Sequence, residues 1–351
     1  MRAICVFLLT AAAAVAQGQS DVLLRHTFAG DTSGWTFMGQ AGSVRAADGA
    51  LEFSYEVKPK QFAIAVLPAP PETARLRRLR FRVKTDHDTP LAVLLSEKKP
   101  GGGNYVAMFW SAGGAWQTIE LTPADFSASD GPNDPVDADG KLDLDQVEGI
   151  GIMDLALFFA AQPENPEMPM IVHRASGSHT LRVADFEMLG GAAAPPRPAL
   201  AIDRFDRGYV EWITPGGIKL KLAGAENPLH MPALEAAYEQ VQGRYGILVR
   251  RLANLDLAKA TGLAFDIASK GEATMIVSLE LKNGHRFNQT IYPPGGLEVF
   301  HVRLGFSDFT GDGKLDPAQL KSLALTDVSA ADGGGGQANT IWIGKVECVG
   351  N

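Results

Sequence analysis

In the second half of the chain, Asn288, Thr290 and Tyr292 alternate along one side of a polar, β-prone run. Ser278 and Glu280 lie on the matching side of the segment before it, and Asp266 on the one before that. Such a set could hold a sugar. The C–H face of a pyranose packs on an aromatic ring, while amide, hydroxyl and carboxylate groups exchange hydrogen bonds with its hydroxyls. The corresponding run of the first half reads Val106, Met108 and Trp110. Trp110 is therefore a further candidate ring, but this side is apolar and also suits an interface, either with the other half or with a partner.

Other chemistry finds less support. His173 and His179 flank an expected hairpin turn, Ala175-Ser176-Gly177-Ser178, and could form a two-point metal grip. Zinc takes three or four ligands; spacing supplies no third, and no metal site is assigned. Asp308, Thr310, Asp312, Gly313 and Asp316 follow the spacing of a calcium loop, but Gln319 stands where a bidentate Glu is needed, so a turn with a short helical segment is expected. The chain has seven histidines but no HExxH, no GxSxG and no Gly-rich loop ending in GK[ST]; the Gly333 to Gly336 run reads as a loop. Asp130, Asp134, Asp137, Asp139, Asp143 and Asp145 crowd one segment, expected to be a solvated acidic loop with weak cation binding as the alternative. No carboxylate pair can be shown from spacing to converge on a cleft. No catalytic residue is assigned.

These residues must be positioned by a scaffold that the sequence uses twice. Phe28 and Trp35 match Phe205 and Trp212, and Leu51 to Val66 aligns without a gap on Leu234 to Val249, pairing Tyr55 with Tyr238. Leu79 to Val83 matches Leu263 to Ile267, and Trp110 with Gly113-Gly114 matches Tyr292 with Gly295-Gly296. The string Asp-Gly-Lys-Leu-Asp occurs at Asp139 to Asp143 and again at Asp312 to Asp316, each time running into an apolar segment that ends in Asp, at Asp154 and Asp327. Leu79, Phe81 and Val83 alternate with Arg78, Arg80, Arg82 and Lys84, the period of a half-buried antiparallel strand. Repeated strands of this kind between Gly/Pro/Asn turns predict an all-β protein of two tandem antiparallel sandwiches, over residues 21–190 and 200–351, joined by a Gly/Ala/Pro linker at 190–199.

The order of these features resembles galactose-binding-like jelly rolls, and most nearly the family-eleven carbohydrate-binding modules and the complex I intermediate-associated type of domain. The resemblance covers almost the whole chain after residue 20, once per half. It implies a jelly-roll fold and, commonly, a structural calcium near the first and last strands. The matching positions carry an incomplete ligand set: Asp185 with His26 and Ala29 in the first half, and Asp203 and Asp206 with Lys345 in the second. Lys345 either neutralises one of those aspartates or is merely solvated. No cofactor is therefore expected.

Bulk composition narrows the function further. Residues 1–16 read as a secretory signal, with Arg2, an apolar run and Ala14-Val15-Ala16 before a cleavage point at Gln17, so a secreted or periplasmic protein is expected. That run is shorter than the about 20 residues of a membrane span, and no later stretch approaches it. Removal of Cys5 with the signal leaves Cys348 alone, without an intramolecular disulfide. A net charge of −8 with no basic block argues against nucleic acid. The expected function is non-catalytic glycan binding, in adhesion or targeting, with the better surface in the second half. The alternatives are a structural or protein-interaction module of the cell envelope, and a glycan-active hydrolase with an unrecognised site.

Overall fold

The computed structural model describes residues 21–58, 61–129, 131, 134–161, 169–171, 176–192, 197–331 and 336–350. The proposed signal segment and His173 lie outside the described residues, as do Asp130 and part of the expected linker.

The fold is all-β, with two tandem antiparallel sandwiches of the jelly-roll kind. In the first, one sheet runs in the order Gly42–Ala47, Ala50–Val57, Gly177–Leu189, Arg78–Thr85, Gln117–Leu121, and Val22–His26 also pairs with Gly177–Leu189. The facing sheet runs Ser127–Ala128, Asn104–Ser111, Thr89–Glu97, Val147–Asp154, Ala63–Pro68, Thr36–Gly39. The second sandwich repeats this order. Ile218–Ala223, Ala233–Glu239, Ala338–Gly350, Ala260–Ser269 and Val299–Gly305 make one sheet, with Ala201–Asp203 beside Ala338–Gly350. Gly246–Arg251, Leu320–Asp327, Met275–Leu281, Arg286–Ile291 and Thr310–Gly311 make the other. The Thr36–Gly39 strand is reduced in the second sandwich to a single antiparallel bridge, Ile213 with Val249.

Alternation sets the layers. Along Arg78–Thr85 the residues Leu79, Phe81 and Val83 are buried, while Arg80 and Arg82 point outward to Glu187 and Asp185. The same closing-strand position bulges in both copies, with a left-handed residue at Asp185 (φ 49°) and Lys345 (φ 44°), and such a bulge turns a side chain out of the ladder. Asp185 is paired there with Arg82 at 2.7 Å. Lys345 pairs with Glu347 of its own strand at 3.2 Å with its side chain 56% exposed, so of the two alternatives the solvated one is nearer the structure. Asp203 instead accepts from the Trp212 indole at 3.0 Å, where the first copy has the Trp35 indole donating to His26 at 3.2 Å. The calcium-loop-like residues serve as caps. Asp308 accepts from the Gly305 N–H and Asp316 from the Ala318 N–H.

The two sandwiches share a buried junction. Ile64, Ala92, Met153 and Leu155, from the outer face of the first sandwich's second sheet, pack with Ile213. The Trp110 ring enters the core of the second sandwich and its backbone N–H donates to the Val210 carbonyl at 2.9 Å; Tyr209 enters the core of the first. Beside this seam Arg197 and Arg207 both bridge Asp125 and Glu211, and Arg250 reaches Glu211 at 3.1 Å. Burial works against the charge of Asp125, but hydrogen bonds from Arg207, the Thr122 N–H and Arg197 hold its carboxyl well below the usual carboxylate range. Burial likewise opposes the charge on Glu211, and Arg250 and Arg197 outweigh it. Asp203 goes the other way: burial, then the neighbouring charge of Glu211, push it up to about 6.

Candidate ligand-binding site

Each sandwich has one end organised by a buried carboxylate. In the second, Asp327 ends the Leu320–Asp327 strand and accepts from the Tyr238 hydroxyl at 2.5 Å, from the Gln240 amide at 3.2 Å and from the Ser329 N–H at 2.8 Å. The Ser329 hydroxyl in turn accepts from the Thr274 N–H at 2.8 Å. Gly295 closes the chain onto this end. It has φ 77°, and a Cβ there would stand 2.6 Å from the Glu272 nitrogen, so a glycine is required for the approach.

The result is an open groove of about 420 Å³ lined by Tyr292, Pro293, Pro294, Gln240, Glu272, Thr274, Ser329 and Gln337. Tyr292 leaves the end of the Arg286–Ile291 strand and is 65% exposed. A flat ring thus borders two amides, two hydroxyls and a carboxylate, a set that can stack on one face of a polyol ring and exchange hydrogen bonds with its edges.

The residues expected from sequence are only partly gathered here. Asn288 and Thr290 share the face of Tyr292 but run away from the groove along the strand. The Ser278 hydroxyl donates to Asn288 Oδ1 at 2.7 Å across the same sheet, and Glu280 is taken up by Lys321 at 2.9 Å and Arg286 at 3.3 Å. Asp266 does not join them. It lies in Ala260–Ser269, a strand of the opposite sheet, and bonds His301 at 2.7 Å. Trp110 is corrected more strongly: it is 2% exposed, sealed by the second sandwich, and offers no face to a ligand. Gln240, Glu272, Thr274, Ser329 and Gln337 were not singled out by sequence. All five lie just outside strands, and only the repeat of Asp154 and Asp327 marks the end of the sandwich where they meet.

The equivalent end of the first sandwich is built differently. Asp154 is fully buried and accepts from the Tyr55 and Thr89 hydroxyls, each at 2.5 Å, and from the Ala156 N–H at 2.7 Å. Gly113 makes the approach that Gly295 makes, its Cβ position lying 2.6 Å from His87. Here the packed turn carries Asp86 and His87. His87 Nε2 lies 3.2 Å from Asp154, and its Nδ1 lies 2.6 Å from Asp86 Oδ1; His179 Nδ1 faces the same oxygen at 3.3 Å. Burial disfavours a charged His87, but Asp154 and then Asp86 outweigh it and raise its pKa above the ordinary value. His179 thus meets Asp86 and His87.

No protein-family model matches the sequence, and no curated protein matches it. Among solved structures, the chain is similar to the Family 11 carbohydrate-binding module from Clostridium thermocellum in complex with a β-1,3-1,4-mixed-linked tetrasaccharide. The identity is 17% over 43% of this chain and 95% of that one, with a TM-score of 0.34. It is also similar to the tandem CBM22-1-CBM22-2 domain from Paenibacillus barcinonensis Xyn10C, at 13% identity over 96% of this chain and 99% of that one, TM-score 0.31. An agarase, AgWH50C, is matched at 11% identity over 44% of this chain and 26% of that one, TM-score 0.36. At these scores the likenesses carry no weight for ligand, and function is argued from the chain's own side chains.

Proposed function

We propose that the chain is a non-catalytic glycan-binding protein, acting in adhesion or targeting outside the cytoplasm, with its ligand in the Tyr292 groove of the second sandwich. The observation that carries this is the exposed Tyr292 ring standing beside the amides of Gln240 and Gln337 and the Glu272 carboxylate. The ring offers a flat face to the C–H side of a sugar, and it is surrounded by groups suited to sugar hydroxyls. The first sandwich has spent its equivalent ring, Trp110, on the junction, so one site per chain is expected. The full chain on a glycan array tests this: retention on a defined set of polysaccharides is expected, and retention on none contradicts it. Incubation with the retained glycans should release no reducing ends; release would favour the hydrolase.

A structural spacer of the cell envelope is the second function that a specific feature favours. The exchange of Trp110 and Tyr209 between cores, with four ion pairs among Arg197, Arg207, Asp125 and Glu211, joins the sandwiches through a buried seam. A chain that binds no glycan but keeps a fixed end-to-end distance in solution would support this function.

A further inference from the structure

From the meeting of Asp86, His87 and His179 we infer that the first sandwich holds a divalent transition-metal site of the zinc type, separate from the Tyr292 groove and independent of its ligand. The three side chains each offer one ligand atom, and these atoms lie within 4.8 Å of one another. Two imidazoles and one carboxylate suit zinc and its neighbours rather than calcium, which takes oxygen ligands.

The geometry is close to what an ion requires. Ligands about 2.0–2.1 Å from a tetrahedral zinc stand about 3.3 Å apart. His179 Nδ1 is already 3.3 Å from Asp86 Oδ1. His87 Nδ1, at 2.6 Å, is at hydrogen-bond distance and opens by about 0.7 Å when an ion replaces the intervening proton. The two rings lie near each other, with centroids 4.0 Å apart. Asp86 is fixed from behind by the Thr180 N–H, which donates to its Oδ2 at 2.9 Å.

The surrounding groups bear on the site as well. Metal-bound imidazoles characteristically donate their second N–H to a carboxylate, which fixes the ring and raises its basicity. Asp154 stands next to that place, 3.2 Å from His87 Nε2 but outside hydrogen-bond geometry, so a small turn of the ring would complete the bond; it is itself locked by Tyr55, Thr89 and Ala156. The imidazoles are 13% and 16% exposed, whereas Asp86 is 43% exposed and leaves a way in for the ion and a fourth, solvent ligand.

The second sandwich provides the internal comparison. Tyr55 pairs in register with His179, and its equivalent Tyr238 pairs with Asn339. Leu91 and Met275 pair with Asp154 and Asp327, which aligns Asp86-His87 with Lys270-Gly271. The Tyr–Asp pair is kept in both copies, while all three metal-ligating groups occur in one. A purely structural role for this end is met in the second copy without any of them.

The test uses the full chain, without an added histidine tag, stripped with EDTA and titrated with Zn²⁺ by calorimetry and with Co²⁺ by visible absorption. One equivalent of Zn²⁺ per chain is expected, with Co²⁺ giving a ligand-field spectrum. His179→Asn and Asp86→Asn should each weaken Zn²⁺ binding more than about tenfold. The first of these installs the residue that the sister sandwich carries at this place, so the fold tolerates it, and an unchanged circular dichroism spectrum checks this. Absence of saturable uptake overturns the inference, as does one equivalent that both variants leave unaltered.

Discussion

Trp110 and Tyr292 hold the same position in the two copies, yet Trp110 is 2% exposed inside the other sandwich and Tyr292 is 65% exposed at the rim of a polar groove. One ring serves cohesion and the other is free for a ligand. Trp110→Ala should therefore destabilise the chain by about 3–5 kcal/mol through the cavity it leaves, and Tyr292→Ala by no more than about 0.5 kcal/mol. Urea unfolding of the two variants checks the contrast; equal effects would contradict the assignment of roles.

The junction depends on compensated charge. Glu211→Ala leaves Arg250, 5% exposed, without its 3.1 Å partner, and removes one acceptor from each of Arg197 and Arg207. Breaking a buried pair on one side costs about 3–5 kcal/mol. The expected result is a large fall in the denaturation midpoint. Replacement by Gln should recover part of it, because the amide oxygen still accepts from an arginine.

Acidification should act in two opposite phases. Asp203 has its pKa raised to about 6 in the folded chain, above the about 3.9 of an unfolded aspartate. The folded state then binds more protons, and stability rises as the pH falls from 7 toward 5. Asp125 and Glu211 are held below their ordinary values. Their contribution is fully present above the unfolded carboxylate range, about pH 4, and is lost as the pH falls through the folded values. Melting temperature against pH should therefore rise from pH 7 toward 5 and fall at lower pH; His87, whose pKa is also raised, shares in the rise, and Asp203→Asn should diminish it while leaving the acid limb.

The fold could be read from the sequence because both of its determinants are local. Period-two alternation such as Leu79, Phe81, Val83 fixes which side is buried, and the repeat fixes the order of strands. Tyr292 stood out for the same reason, as an aromatic at the end of a polar strand face. Asp266 was misplaced because adjacency in sequence order does not say when the chain crosses to the opposite sheet. Trp110 was misread because an apolar outer face does not say what covers it, although cover by the other half was one of the outcomes it allowed. The Asp86, His87 and His179 cluster joins residues 93 positions apart through strand pairing and a turn, and no linear spacing encodes that.

The central claim is that the Tyr292 ring is the platform for a glycan, and the most direct measurement is retention of Tyr292→Ala beside the unaltered chain on the same glycan array. The proposed function predicts that the variant, with an unchanged melting temperature, loses retention on every glycan that holds the unaltered chain. Equal retention of the two proteins would contradict it.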